Sequence, residues 1–141
     1  MIGKQSRKQV QAVRKQVFER DGHVCVVANT TQAHFHPCWG DLTIQHRVGR
    51  GMGGSALYDS PEYLVTMCLG HNLLIESDPT FALYCRMRGL SVPRWLAAQF
   101  NVSQIPVRTG DGWFMLSSDG RRHSVASITA ETVLEEIYYR D

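Results

Sequence analysis

Three sulfurs and one imidazole, spaced as Cys25, Cys38 and Cys68-Leu69-Gly70-His71, constrain this chain more than any other feature. Two residues between Cys68 and His71 let both side chains converge on one ion, the knuckle spacing of a tetrahedral zinc site. Cys25 and Cys38 stand further apart and meet there only if the segment between them loops out. His34 and His36 flank Cys38 and compete for the same ion. The plainer reading makes Cys25 and Cys68 small buried apolar residues, as free cysteines often are. The knuckle, and the crowding of five of the six histidines into residues 23–71, argue for metal. Cys85 lies in an apolar helical setting and reads as packing.

Residues Met1 to Lys8 carry charge with no apolar run behind it. The expectation is therefore a reducing cytoplasm, where thiolates bind metal in preference to forming disulfides. No stretch approaches the 18 or more apolar residues of a membrane helix, so no membrane association is expected. At 141 residues, 43% hydrophobic and 20% charged, the chain reads as one globular domain, 1–141, neither disordered nor fibrous. Its net charge is only +2, but Lys4, Arg7, Lys8, Arg14, Lys15, Arg20, Arg47 and Arg50 crowd the first third. That is the footprint of a surface facing a polyanion, or of a solvated helix face.

Ser6 followed by Val10, Val13, Val17 and Phe18 predicts an amphipathic helix over about 7–20, ended by Asp21-Gly22, with Arg7, Lys8, Arg14 and Lys15 outward. His23–Val27 and Leu42–His46 read as short strands. A loop with glycines at 49, 51, 53 and 54 and with Arg47 and Arg50 follows. Helices are predicted from about Cys68–His71 to Ser77, and again through Phe81, Tyr84 and Cys85 to Gly89. The tail predicts a hairpin over 106–116 and a last helix capped by Thr129. Trp39 and Trp95 are expected in the core, and Glu76 on a helix surface.

The run Gln45-His46-Arg47-Val48-Gly49-Arg50-Gly51-Met52-Gly53-Gly54, with Pro61-Glu62-Tyr63-Leu64-Val65-Thr66-Met67-Cys68-Leu69-Gly70-His71-Asn72 after it, resembles the HNH endonuclease family. It is most similar to the family's small zinc-containing phage members. The resemblance covers residues 18–95 well and the tail loosely. It implies an α+β fold: a ββα-metal core over 18–95, an N-terminal helix, and an appended hairpin and helix over 96–141.

By that resemblance His46 is the general base of phosphodiester hydrolysis, and Cys25, Cys38, Cys68 and His71 hold structural zinc. Asn72 and Gln45 would bind a catalytic divalent cation, Mg²⁺ or another. Asn72 stands where the family has histidine, Gln45 where many members have an acid, and His71 where a fourth cysteine is usual. Tyr63 stands where an asparagine ties down the loop carrying the base. Arg47 and Arg50 are candidate phosphate contacts, and Lys8, Arg14 and Lys15 candidate contacts to the DNA backbone. DNA is the implied partner, with a phage terminase large subunit as a second and the host cytoplasm as the location. The competing reading is a zinc-stabilised DNA- or protein-binding module that keeps the scaffold without the chemistry.

Overall fold

The computed structural model describes residues 6–49 and 58–139. Helix α1 (Arg7–Arg20) opens on a reciprocal cap: Ser6 Oγ accepts from Gln9 N at 3.2 Å, and Gln9 Oε1 accepts from Ser6 N at 2.8 Å. The expected strand over 23–27 does not form. Gly22 and His23 both take positive φ (71° and 57°), and the chain turns at the point where a strand would begin. Val26 N still bonds Thr66 O at 2.9 Å, so the segment lies against a strand without joining its ladder.

A short helix α2 (Gln32–Phe35) leads to strand β1 (Leu42–His46). Strand β1 pairs antiparallel with β2 (Leu64–Cys68), Leu42 facing Cys68 and His46 facing Leu64. Helix α3 (Leu69–Ser77) follows β2 without a linker, and α4 (Pro79–Met87) starts directly after it. Asp78 makes the tight junction possible, because it ends α3 while its carboxylate caps the Thr80 and Phe81 amides of α4. After α5 (Arg94–Ala97) come β3 (Val107–Thr109), β4 (Gly112–Leu116) and β5 (Arg122–Ser124), a second antiparallel sheet. Helix α6 (Ser127–Tyr139) begins two residues before the expected cap at Thr129.

The architecture is mixed α and β with two small sheets. The described part of the stretch expected to be appended, residues 96–139, packs into both apolar clusters. Val107, Phe114 and Leu116 complete the cluster built on Cys25, Val27, Val65, Met67, Phe81 and Leu90. Trp113, Ala130 and Leu134 complete a second cluster with Val48, Val92, Leu96 and Ile105. The hairpin thus has one apolar residue set in each core, and neither core closes without it.

Arg47 joins the two clusters. Its guanidinium is buried at 1% exposure. It donates to the carbonyls of Gly89 (2.8 Å), Glu62 (2.8 Å), Val102 (3.1 Å) and Ile105 (2.8 Å). Burial, and then the nearby Arg20 charge, push its pKa down to about 9, so it stays cationic at neutral pH. The expected phosphate contact is corrected here: four of the five N–H groups of this buried fork donate to backbone carbonyls. Gly89 fits the arrangement because its φ is +71° and a Cβ there would stand 1.8 Å from Pro106 O. A buried pair, Arg20 with Asp21 at 2.9 Å, likewise ties α1 to β2 through Thr66 N, Leu64 O and Pro61 O. Among the described residues, no helix is long and apolar enough to cross a membrane.

Candidate metal centre and the His46 cleft

Each metal-site side chain is delivered by a different local device. Cys25 lies in the turn after α1, wedged between Thr66 of β2 and Gly110 of the β3–β4 turn by two backbone bonds through Val26. Cys38 follows α2 in an irregular loop whose next residues, Trp39 and Asp41, accept the first amides of α3, Gly70 N and Leu69 N. Cys68 ends β2 and caps α3, its sulfur accepting from His71 N at 3.4 Å. His71 sits one turn later, so the strand-to-helix junction presents both side chains inward.

The four donor atoms all lie within 4.8 Å of one another. His71 Nδ1 stands 3.5 Å from Cys25 Sγ, 3.6 Å from Cys38 Sγ and 3.2 Å from Cys68 Sγ. One ring nitrogen cannot hydrogen-bond three sulfurs at once. A tetrahedral zinc with sulfur at about 2.3 Å and nitrogen at about 2.0–2.1 Å has N···S edges of about 3.6 Å, and the cluster has that size. The opposite nitrogen, His71 Nε2, stands 2.6 Å from the carbonyl of His36. A carbonyl can only accept, so the proton is on Nε2 and the lone pair of Nδ1 faces the sulfurs, the tautomer a metal needs. The Phe81 ring stacks on the imidazole at 5.3 Å.

The electrostatics of the metal-free cluster point the same way. Burial, and then the neighbouring sulfurs Cys25 and Cys68, push the Cys38 thiol up to about 12. Burial likewise raises Cys25 and lowers His71. A divalent cation reverses the penalty on the thiolates. With four protein ligands and no position left over, such a site is structural. The spacing of Cys25, Cys38, Cys68 and His71 therefore does bring four ligand atoms together. His34 and His36 stay outside the cluster as side chains, although the His36 main chain serves it.

The expected catalytic set is divided. Residues alternate along β1, and the register pairs Thr43 with Met67, Gln45 with Val65, Ile44 with Thr66 and His46 with Leu64. Asn72 of α3 donates to Thr43 Oγ1 at 2.7 Å, which identifies the Thr43 and Gln45 face as the one under α3. His46 instead lines a cleft of about 170 Å³ with Ile44, Leu64, Asp59 and Val10, Val13 and Arg14 of α1. Gln45 and Asn72, the expected cation ligands, thus share one face of the hairpin, and His46, the expected general base, lies on the other. Gln45 and Asn72 bring only neutral amides, whose NH₂ groups donate to the His46 carbonyl at 3.0 Å and to Thr43 Oγ1 at 2.7 Å.

Tyr63 is also corrected. Its ring packs at 5.3 Å against Tyr58 beside the second cluster. Its carbonyl, and not its phenol, meets the chain after β1, accepting from Arg47 N at 2.7 Å.

Sequence reasoning missed Asp59. Its Oδ1 stands 3.0 Å from His46 Nε2, the two side chains being 17% and 27% exposed. Thirteen residues and a glycine-rich loop separate them, and no periodicity links the pair. Arg50 lies outside the described residues. Lys8, Arg14 and Lys15 are exposed on α1 as expected. Trp39 and Trp95 are exposed at 58% and 55%, against the expectation of core positions. Trp39 lies flat on the start of α3, where a Cβ on Gly70 would meet its indole nitrogen at 2.3 Å. No family model, curated protein or solved structure matches this chain.

Proposed function

We propose that this protein is a zinc-stabilised DNA endonuclease of the HNH type, with His46 as the general base that activates water for phosphodiester hydrolysis. The observation that carries the reading is the position of His46. It ends β1 inside a cleft whose other wall is the basic helix α1, and its ring is held by a carboxylate. In the neutral ring with Asp59 accepting the Nε2 proton, the lone pair is on Nδ1, the nitrogen that would take a proton from water in this reading. Arg14 supplies positive charge on the same cleft wall, and Lys8 and Lys15 extend that charge along the helix. An antiparallel hairpin running straight into a helix, with zinc ligands at the junction, supports the same reading.

A second reading, a DNA-binding module without chemistry, is favoured by one observation: Gln45 and Asn72 lie across β1 from His46. Plasmid nicking in Mg²⁺ or Mn²⁺ separates the two. Wild-type protein is expected to relax supercoiled DNA, and His46→Ala to be slower by about 100-fold or more, the usual contribution of a general base. Salt-sensitive DNA binding by wild-type protein, without nicking in either metal, establishes the second reading instead.

A further inference from the structure

We propose that Cys38 is a site of oxidation by peroxide, and that the disulfide it then forms with Cys25 releases the zinc and loosens the fold. This rests on the zinc part of the reading above and is independent of any role of His46. Cys38 is exposed, whereas its companions Cys25, Cys68 and His71 are 4%, 2% and 1% exposed. Cys85, the remaining cysteine, is fully buried. A small oxidant in solvent therefore meets one of the four cysteines. Exposure alone does not make a thiol reactive, because the thiolate is the nucleophile and a free cysteine is mostly protonated at neutral pH. A thiol bound to zinc is already deprotonated. Cys38 combines access with thiolate character, Cys25 and Cys68 have only the second, and Cys85 has neither.

The cluster also supplies the second sulfur. The Cys38 and Cys25 donor atoms lie within 4.8 Å of each other, and a disulfide needs them at about 2.05 Å. Cys38 lies outside helix and strand, between exposed Pro37 and Trp39, and Cys25 lies in the turn that stays out of the β1–β2 ladder. Both can shift without breaking an element. Cys68 is as near but more firmly tied, since it pairs with Leu42 in the ladder and its sulfur accepts from His71 N at 3.4 Å. In the first step Cys38 Sγ attacks a peroxide oxygen. The O–O bond breaks, an S–OH group forms and hydroxide leaves. The Cys25 thiolate then attacks Cys38 Sγ, forming the S–S bond and expelling a second hydroxide. Two thiolates have lost two electrons, and one peroxide has gained them. Sulfurs joined at that distance cannot fill two corners of a tetrahedron, and Cys68 and His71 alone leave the site half complete.

The test treats zinc-loaded, full-length protein with hydrogen peroxide and follows zinc release with a chromogenic chelator. The expected result is zinc release in step with a fall in free thiols from four per chain to about two. Peptide mapping should link Cys38 to Cys25, the thermal midpoint should drop, and a thiol reductant with added zinc should restore it. Cys38→His keeps a fourth zinc ligand without the exposed sulfur, and should release zinc about tenfold or more slowly. Cys85→Ser should behave as wild type. Should Cys38→His fail to load zinc, the wild-type peptide map and thiol count still decide. Release from Cys38→His as fast as from wild type overturns the proposal, because the exposed sulfur is then not the point of entry. A bridge from Cys38 to Cys68 or Cys85 overturns it, as does sulfinic acid at Cys38 with zinc still bound. Protein purified under reducing conditions without zinc removes the zinc reading and this proposal together. Protein that carries zinc and keeps it in peroxide removes the proposal alone.

Discussion

Arg47 shows how a residue can be read correctly as important and wrongly as to why. It follows His46 and precedes a run of glycines, which is the setting of a phosphate rim. Nothing in a linear sequence reveals that Gly89, Glu62, Val102 and Ile105 will turn their carbonyls toward one point. The physical consequence is testable. Arg47→Met keeps the apolar bulk but leaves four carbonyls without a donor in a buried setting, at a cost of about 3 kcal/mol or more. For a chain of this size, that lowers the thermal midpoint by about 10 °C. A phosphate contact would instead leave the melting curve alone and weaken DNA binding. By contrast, Lys8, Arg14 and Lys15 stand exposed on α1, with only surface contacts within the helix, Lys15 at 3.9 Å from Glu19 and Arg14 at 5.8 Å over the Phe18 ring. Replacing all three with alanine is expected to leave stability unchanged. The same triple variant should lower the slope of log binding constant against log salt by about 2–3, since each neutralised phosphate contributes about 0.9. An unchanged salt slope would place the DNA surface elsewhere.

At the scale of elements, what was legible were the parts whose cause is local. Helix α1 declares itself through Ser6 and the spacing of Val10, Val13 and Val17, α4 through that of Phe81, Tyr84 and Cys85, and the knuckle through Cys68 and His71, because caps, turns and ligand pairs act across three or four residues. The segment 23–27 misleads because an apolar run is shared by strands and by buried turns, and only the positive φ of Gly22 and His23 decides between them. The division of His46 from Asn72 was invisible for another reason. It depends on which face of β1 receives α3, and strand alternation turns a single choice of face into opposite destinations for neighbouring residues. Asp78 offers the test at this scale. One carboxylate stops α3, caps two amides of α4 and lies 3.9 Å from His36. Asp78→Ala should cost about 1 kcal/mol from the lost cap, read as a lower denaturant midpoint with unchanged slope. Asp78→Asn, which keeps the acceptor oxygen, should recover most of that loss. Equal loss in both variants would point to charge and not to capping.

For the whole molecule, the candidate metal centre joins three stretches that otherwise have little reason to meet: the turn after α1, the loop after α2, and the start of α3. Its ligand residues Cys25 and Cys68 belong to the first apolar cluster, and Phe81 of that cluster stacks on His71. Loading the site should therefore stabilise the chain globally, with about one zinc per chain by elemental analysis and a thermal midpoint that falls on chelation. The pH dependence follows from the thiols. In the metal-free fold, burial and the neighbouring sulfurs hold Cys38 up to about 12, above the ordinary thiol value of 9.0, and Cys25 is raised in the same sense. The folded metal-free chain thus binds protons more tightly than the unfolded one. That contribution to stability is complete below pH 9 and is lost as pH rises toward 12. Zinc has the opposite sign: it must displace those protons, so its affinity, and the stability it confers at fixed free zinc, rise with pH. Melting curves collected with and without chelator between pH 7 and 10 should diverge as pH increases, first because the loaded midpoint rises with zinc affinity and, above pH 9, because the metal-free midpoint falls as well. Parallel curves over that range would mean that the three sulfurs do not bind the ion as thiolates.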